Sequence, residues 1–86
     1  MKVYIPTPLR SYTGGSNAVE AEGATLAEVF ADLDRKYAGI RFRIVDEQDQ
    51  IRQHIKVFVG QEIAPDLTFR LEGADAVQII MAISGG

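Results

Sequence analysis

The chain ends with Ser84, Gly85 and Gly86, and these three residues carry its clearest chemical signal. Glycine loses more conformational entropy on ordering than any other residue, so two successive glycines add little to the stability of a fold. They do suit a terminal carboxylate that must enter a narrow site on another protein, where any Cβ atom would collide. The alternative is a flexible terminus without a function. The residues alone leave both interpretations open.

The side chains that commonly perform catalysis are sparse in this sequence. The chain has no cysteine, which excludes disulfides, thiolate catalysis and cysteine-ligated zinc or iron–sulfur clusters. His54 is the only histidine, so it lacks the second ligand at short spacing that a metal site requires. No nucleophile stands in a recognisable pattern with a base. We therefore assign no catalytic residue and no metal ligand.

Two further motifs fail the test of sequence context. Phosphate-binding glycine loops lead from a strand into a helix, whereas Gly14 and Gly15 lie between two strand-like runs and predict a hairpin turn. Residues 41–43 place two arginines around a phenylalanine, as some nucleic-acid-binding surfaces do. However, the acidic residues 46–49 follow, and the net charge of the chain is -3. The sequence therefore predicts neither a phosphate site nor a nucleic-acid interface.

Composition indicates one ordinary globular domain. The chain has 86 residues, of which 47% are hydrophobic and 24% are charged. Residues 1–6 lack the long apolar core of a signal peptide, and no window approaches the length and hydropathy of a membrane span. We expect the cytoplasm as the compartment.

Alternating apolar residues predict strands at residues 3–9, 18–21, 55–59 and from residue 77 onward, with one or two short strands within residues 66–71. One helix is predicted between them. Thr25 and Glu28 form a capping box, and Gly39 is the expected end of the helix. The apolar face of this helix comprises Leu26, Val29, Phe30, Leu33 and Tyr37.

The resulting order is β-β-α-β-(short β)-β, which predicts an α+β fold. One main helix packed on one face of a mixed sheet, with the first and last strands adjacent in its middle, is the β-grasp (ubiquitin-like) arrangement. We expect residues 1–83 to form this domain and residues 84–86 to form a flexible tail that ends in diglycine. The crossover at residues 40–53 is expected to lay a short turn against the sheet.

The chain resembles the ThiS/MoaD family of ubiquitin-like sulfur carriers along nearly its whole length. Its proline-bearing first strand and Thr-Gly-Gly turn look most like the branch that delivers sulfur for cysteine biosynthesis, and a related branch serves tRNA thiolation. Two positions depart from the family, since Met81 replaces a usual proline and Gly60-Gln61 replaces an Asn-Gly type of turn. The resemblance is carried by residues 5–10, 13–15, 25–26, 55–59 and 82–86.

The resemblance implies that the protein is a sulfur carrier rather than an enzyme. A ubiquitin-activating-enzyme-like adenylyltransferase would use ATP to convert the Gly86 carboxylate into an acyl-adenylate, and a sulfur donor would then leave a thiocarboxylate. Ser84, Gly85 and Gly86 would enter the partner's active site, and the carrier itself would bind no cofactor. Its sulfur would pass to a biosynthetic enzyme for cysteine, thiamin or tRNA thiolation, such as a PLP-dependent cysteine synthase.

Three other roles are compatible with the same residues. The chain could be the small subunit of molybdopterin synthase, which would hold a larger partner stably. It could be a ubiquitin-like modifier that is joined to lysines through Gly86. It could also be an interaction module whose tail has no role.

A partner-docking surface is predicted at Phe58, Ile80 and Met81. Phe58 and Ile80 have the opposite strand parity to Val57 and Ile79, so we expect them on the sheet face away from the helix. Exposed apolar residues near the base of a reactive tail suit a hydrophobic anchor site on a partner. The alternative is that the crossover at residues 40–53 covers them.

Overall fold

The computed structural model describes residues 1–82, in which five strands form one mixed sheet. The strands are β1 (Lys2–Tyr4), β2 (Ala18–Glu20), β3 (Ile55–Val59), β4 (Glu62–Ile63) and β5 (Ala76–Met81). Their order is β2-β1-β5-β3-β4, with β1 and β5 parallel and the other neighbours antiparallel. The prediction that the first and last strands lie together is confirmed, and so is the β-grasp fold. The predicted boundary between residues 83 and 84 lies outside the described residues.

The main helix, α1 (Leu26–Lys36), begins at the predicted capping box. The Thr25 hydroxyl accepts a hydrogen bond from the backbone N–H of Glu28 at 3.4 Å. The Glu28 carboxylate accepts one from the backbone N–H of Ala24 at 3.0 Å, one residue before the usual position. Gly23 lies tightly against this first turn, because a Cβ there would be 2.7 Å from the backbone nitrogen of Val29.

The core lies between α1 and one face of the sheet. Its largest members are almost completely buried, and burying such a side chain contributes about 1.5–3 kcal/mol. The helix and the sheet supply Leu26, Val29, Phe30, Leu33, Val3, Val57, Val77 and Ile79, each at most 2% exposed. The predicted apolar face of the helix is therefore confirmed.

The prediction that Gly39 ends the main helix is wrong. The helix ends at Lys36, and the N–H of Tyr37 closes it on the carbonyl of Leu33 at 2.7 Å. Gly39 has a φ of 93° and instead begins a second short helix, α2 (Ile40–Ile44). The reason is the Asp34 carboxylate, which accepts hydrogen bonds from the backbone N–H groups of Gly39 and Arg41 at 3.1 Å each.

The connection between β1 and β2 also differs from the predicted hairpin turn. The first strand stops at Tyr4 rather than continuing toward residue 9, and a 3₁₀ helix (Thr7–Thr13) follows. Pro6 lacks an N–H to donate to a ladder, so the strand ends there. The hydroxyl of the buried Thr13 donates within the loop, with the carbonyls of Arg10 and Ser16 at 3.2 and 2.8 Å. The antiparallel pairing of the two strands is confirmed nonetheless.

Residues 66–71 do not form the predicted short strands. Asp66 accepts hydrogen bonds from Thr68, which bends the chain into a turn, and only Arg70 makes an isolated bridge, with Thr25. The edge strand lies earlier, at Glu62–Ile63, directly after the predicted turn at residue 60. Within residues 1–82, no helix is long and apolar enough to cross a membrane.

Candidate functional site

β5 is a central strand that positions the end of the described chain. It pairs with β1 on one side and with β3 on the other, in a register that sets Val77 opposite Val59 and Met81 opposite Ile55. One further hydrogen bond, from the N–H of Ala82 to the carbonyl of His54 at 2.8 Å, extends the ladder beyond Met81. The predicted tail residues Ser84, Gly85 and Gly86 lie outside the described residues. The sheet thus fixes the backbone up to residue 82.

An apolar patch lies on the sheet face away from α1. Phe58 stands opposite both Gln78 and Ile63, while Ile80 stands opposite Lys56. Ile63 is 55% exposed, Ile80 is 40% exposed and Phe58 is half-buried. The predicted side for Phe58 and Ile80 is confirmed, and their role in docking stays a prediction.

The crossover does not cover this patch. Its apolar residues Ile40, Ile44 and Val45 are completely buried and belong to the same core as the inner face of α1. The crossover therefore packs on the helix side of the sheet, which argues against the alternative in which residues 40–53 cover Phe58 and Ile80.

Met81 does not share the apolar patch with Phe58 and Ile80. Its partner across the ladder is Ile55, which is 3% exposed, so Met81 points to the helix side and packs partly buried against the core. The three predicted docking residues are close along the sheet but lie on two faces. Any one partner surface that contacts all three must reach around the end of β5.

Met81 instead lines a cleft that the sequence interpretation missed. The cleft has a volume of about 340 Å³, and we call it the basic cleft; its described lining residues are Phe42, Arg43, Arg52, His54 and Met81. The guanidinium of Arg52 lies 4.6 Å from the centre of the Phe42 ring. Its Nε also donates a hydrogen bond to the Phe42 carbonyl at 2.8 Å. Phe42 and Arg43 belong to the arginine–phenylalanine pattern of residues 41–43 that the sequence shows, but their proximity to β5 depends on the fold.

The acidic loop beside the basic cleft is held by its own hydrogen bonds. The backbone N–H groups of Gln50 and Gln48 donate to Asp46 and hold the pKa of its carboxyl below the usual value; the charge of Arg52 lowers this pKa further. Asp49 pairs with Arg41 at 3.1 Å. The carboxylates of Asp46 and Asp49 therefore already have partners outside the cleft.

The most strongly perturbed acid, Asp32, lies on α1 and supports the fold. Its pKa is lowered to about 2, chiefly because the backbone N–H of Glu22 donates to it at 3.0 Å, and Lys36 and Arg35 also bond to it. Among residues 1–82, no three histidine, cysteine, aspartate or glutamate side chains are grouped so that they could hold a metal ion. The described site offers surfaces and a chain end rather than an acid–base pair.

Comparison with known proteins agrees with this arrangement. The ThiS family matches residues 3–86. The sulfur carrier protein CysO of Mycobacterium tuberculosis is 36% identical over 89 residues, covering 98% of this chain and 96% of the relative. Among solved structures, the Amycolatopsis orientalis BexX/CysO complex gives a TM-score of 0.89 at 38% identity, covering 99% of this chain and 98% of the matched chain. The crystal structure of M. tuberculosis CysO gives 0.88 at 33% identity, covering 95% and 98%. The chain belongs to the ThiS family.

Proposed function

We propose that this protein is a sulfur carrier that receives sulfur on the carboxylate of Gly86 and donates it to a biosynthetic enzyme. The observation that carries the proposal is the 36% identity to a sulfur carrier protein across 98% of the chain. The family match extends through residue 86, so it includes the glycine pair. The absence of cysteine is consistent with this role, because the sulfur would be held on a carbonyl carbon instead of a thiol.

The proposed reaction has two steps at one carbon atom. A carboxylate is a poor acyl donor, so a ubiquitin-activating-enzyme-like adenylyltransferase first joins Gly86 to the AMP portion of ATP and releases pyrophosphate. A sulfide nucleophile then attacks the carbonyl carbon, the bond to the AMP oxygen breaks, and a thiocarboxylate and AMP result. The carrier supplies no general acid or base in either step.

In this scheme the protein is a substrate and carrier rather than an enzyme, and it needs no bound cofactor. β5 presents the chain end from a rigid sheet, while Ser84, Gly85 and Gly86 enter the partner's active site. CysO forms a complex with BexX in one solved structure, which supports a protein partner for this chain as well. The acceptor would be a cysteine-forming enzyme, such as a PLP-dependent synthase, in the cytoplasm.

The test is mass spectrometry of the intact protein after incubation with the adenylyltransferase of the same organism, ATP and sulfide. We expect the mass of Gly86 to increase by the difference between sulfur and oxygen. Gly86→Val should block the change, because a β-branched side chain restricts the backbone and widens the segment that must enter the site. Removal of Gly85 and Gly86 should also abolish it.

Two results would contradict the proposal. Sulfur located on another residue, or normal thiolation of Gly86→Val, would exclude a carrier that works through this carboxylate. A covalent adduct to lysine side chains in place of the thiocarboxylate would indicate a protein modifier.

A further inference from the structure

The basic cleft lies where the tail begins. Met81 forms part of its wall, and the carbonyl of His54, another lining residue, accepts the N–H of Ala82. A protein that takes the tail into its active site must therefore come within the length of the four tail residues, roughly 13–14 Å, of this cleft. The cleft is on the helix side of β5, so it is separate from the apolar patch around Phe58 and Ile80.

The charge of the cleft is opposite to that of the whole protein. The net charge of the chain is -3, yet two arginines and the only histidine line the cleft, and none of its described lining residues is acidic. Neither Arg43 nor Arg52 forms a salt bridge with a residue in the range 1–82. Asp46 is near enough to Arg52 to feel its charge, but its carboxylate is occupied by the backbone N–H groups of the acidic loop.

The wall of the cleft is already organised for binding. Phe42 is 55% exposed, and its ring and carbonyl together hold the guanidinium of Arg52 in place. An arginine whose position is fixed loses less conformational entropy when it binds a carboxylate. A volume of about 340 Å³ admits one or two side chains rather than a whole element.

We propose that the basic cleft binds an acidic segment of the partner protein that receives the tail, with Arg43 and Arg52 contacting its carboxylates and Phe42 and Met81 contacting an apolar neighbour. This inference rests on the proposed function, because it assigns a surface to the same partner. Charge complementarity favours an anionic ligand, and the volume of about 340 Å³ favours one or two acidic side chains over a nucleic acid, whose further phosphates would extend over the adjacent acidic loop. An adenylate on Gly86 is a weaker alternative. Four extended residues beyond Ala82 span roughly 13–14 Å, so the tail can hold the phosphate far from the cleft.

The test compares two charge reversals of equal size, Arg43→Glu and Arg70→Glu. Arg70 is 66% exposed in its side chain and lies near Val59 and Gly60, at the opposite end of the sheet from Met81. We expect Arg43→Glu to raise the KM for thiolation by about tenfold or more at low salt, and Arg70→Glu to change it less than about twofold. The effect should shrink at ~1 M salt, where screening shortens electrostatic range to about 3 Å. Equal KM values for the two variants would overturn the proposal.

A second measurement tests binding at the basic cleft independently of the proposed sulfur-carrier function. Backbone NMR of the wild type and both variants is recorded during titration with a hexaglutamate peptide and, separately, with AMP. We expect the peptide to shift the signals of residues 43, 52 and 54 in the wild type and in Arg70→Glu, and much less in Arg43→Glu. If the wild type is not thiolated, the proposed function fails. The titration then tests by itself whether the basic cleft binds an acidic segment.

Absence of these shifts, or larger shifts with AMP than with the peptide, would overturn the assignment to an acidic protein segment. Arg43 is exposed, so its reversal should preserve the dispersed spectrum of the fold. If Arg43→Glu loses the dispersed spectrum, Arg43→Gln and Arg70→Gln take the place of the two charge reversals in both assays. We then expect a smaller rise in KM for Arg43→Gln, and equal KM values for the two glutamine variants would again overturn the proposal.

Discussion

Two adjacent residues at the end of β5 should respond very differently to proline. The N–H of Ala82 donates to the carbonyl of His54 at 2.8 Å, and the carbonyl of Ala76 accepts the N–H of Gly60 at 3.1 Å. The even-numbered residues of β5 therefore direct their backbone groups toward β3, whereas Met81 directs its N–H toward the β1 side. The pairing with β1 already ends at Gln78, so Met81 donates to no backbone carbonyl there within residues 1–82.

The expected magnitudes follow from these hydrogen bonds. Ala82→Pro removes one bond with a net value of about 0.5–1.5 kcal/mol. For a domain of this size, that corresponds to a decrease in Tm of roughly 2–12 °C. Met81→Pro removes no ladder bond, and a compatible proline gains about 0.4–1 kcal/mol by restricting the unfolded chain. The lost packing of the partly buried Met81 side chain offsets this gain, so we expect a change within about 1 kcal/mol in either direction.

The assay is thermal unfolding of both variants and the wild type, followed by circular dichroism. Amide hydrogen exchange of the wild type checks the cause independently, because the N–H of Ala82 should exchange more slowly than that of Met81. Met81→Ala is the reference for the lost side chain. If Met81→Pro were less stable than Met81→Ala by as much as Ala82→Pro is less stable than the wild type, or if the two amides exchanged equally, the assignment of the ladder would be incorrect. The expected tolerance of proline at Met81 agrees with the resemblance to a family that usually has proline there.

Three further changes test other parts of the structure. Gly23→Ala should lower the free energy of unfolding by about 1–3 kcal/mol in urea titrations, because its Cβ would collide with the backbone of α1 at 2.7 Å; an unchanged value would show that this loop can shift. Phe58→Asp should raise the KM for adenylation strongly and lower the Tm only slightly, since Phe58 is half-buried on the face away from α1. A large decrease in Tm that accompanies the rise in KM would indicate a structural role. Asp32 has its pKa lowered from 3.8 to about 2 by the N–H of Glu22 and its neighbours. Its stabilising contribution should be complete above pH ~5 and lost as the pH falls toward 2, so urea midpoints of Asp32→Asn should depend less on pH in this window than those of the wild type.

Most of the features that the sequence predicted correctly are encoded by neighbouring residues. Thr25 and Glu28 are three positions apart, so their capping interaction needs no other part of the chain, and the stripe that begins at Leu26 repeats within the same helix. The strand Ile55–Val59 has the alternation of a half-buried strand and appears with its predicted bounds. The central pairing of β1 with β5 joins distant residues and was inferred from the order of elements and the fold that this order favours.

The features that were missed depend on tertiary contacts. Leu67 and Leu71 have the spacing of a strand and both are buried in the core, but the backbone turns from Asp66 to Phe69, where the carbonyl of Asp66 accepts the N–H of Phe69 at 3.4 Å. The basic cleft combines residues of α2 with residues that follow the acidic loop. They meet because Val45 and Ile51 pair across that loop, which no local pattern encodes.

The position of β5 between two strands has a mechanical consequence. A partner that draws on the chain end applies a force along the axis of β5, nearly perpendicular to the hydrogen bonds that join it to β1 and β3. Bonds in this geometry are loaded together in shear instead of one after another, so the resistance of the whole strand opposes the pull. We expect single-molecule extension along β5 to require a larger force than peeling from β4 at the sheet edge, and equal forces would contradict this view. A carrier built in this way can be gripped and released repeatedly at one end while its sheet remains intact.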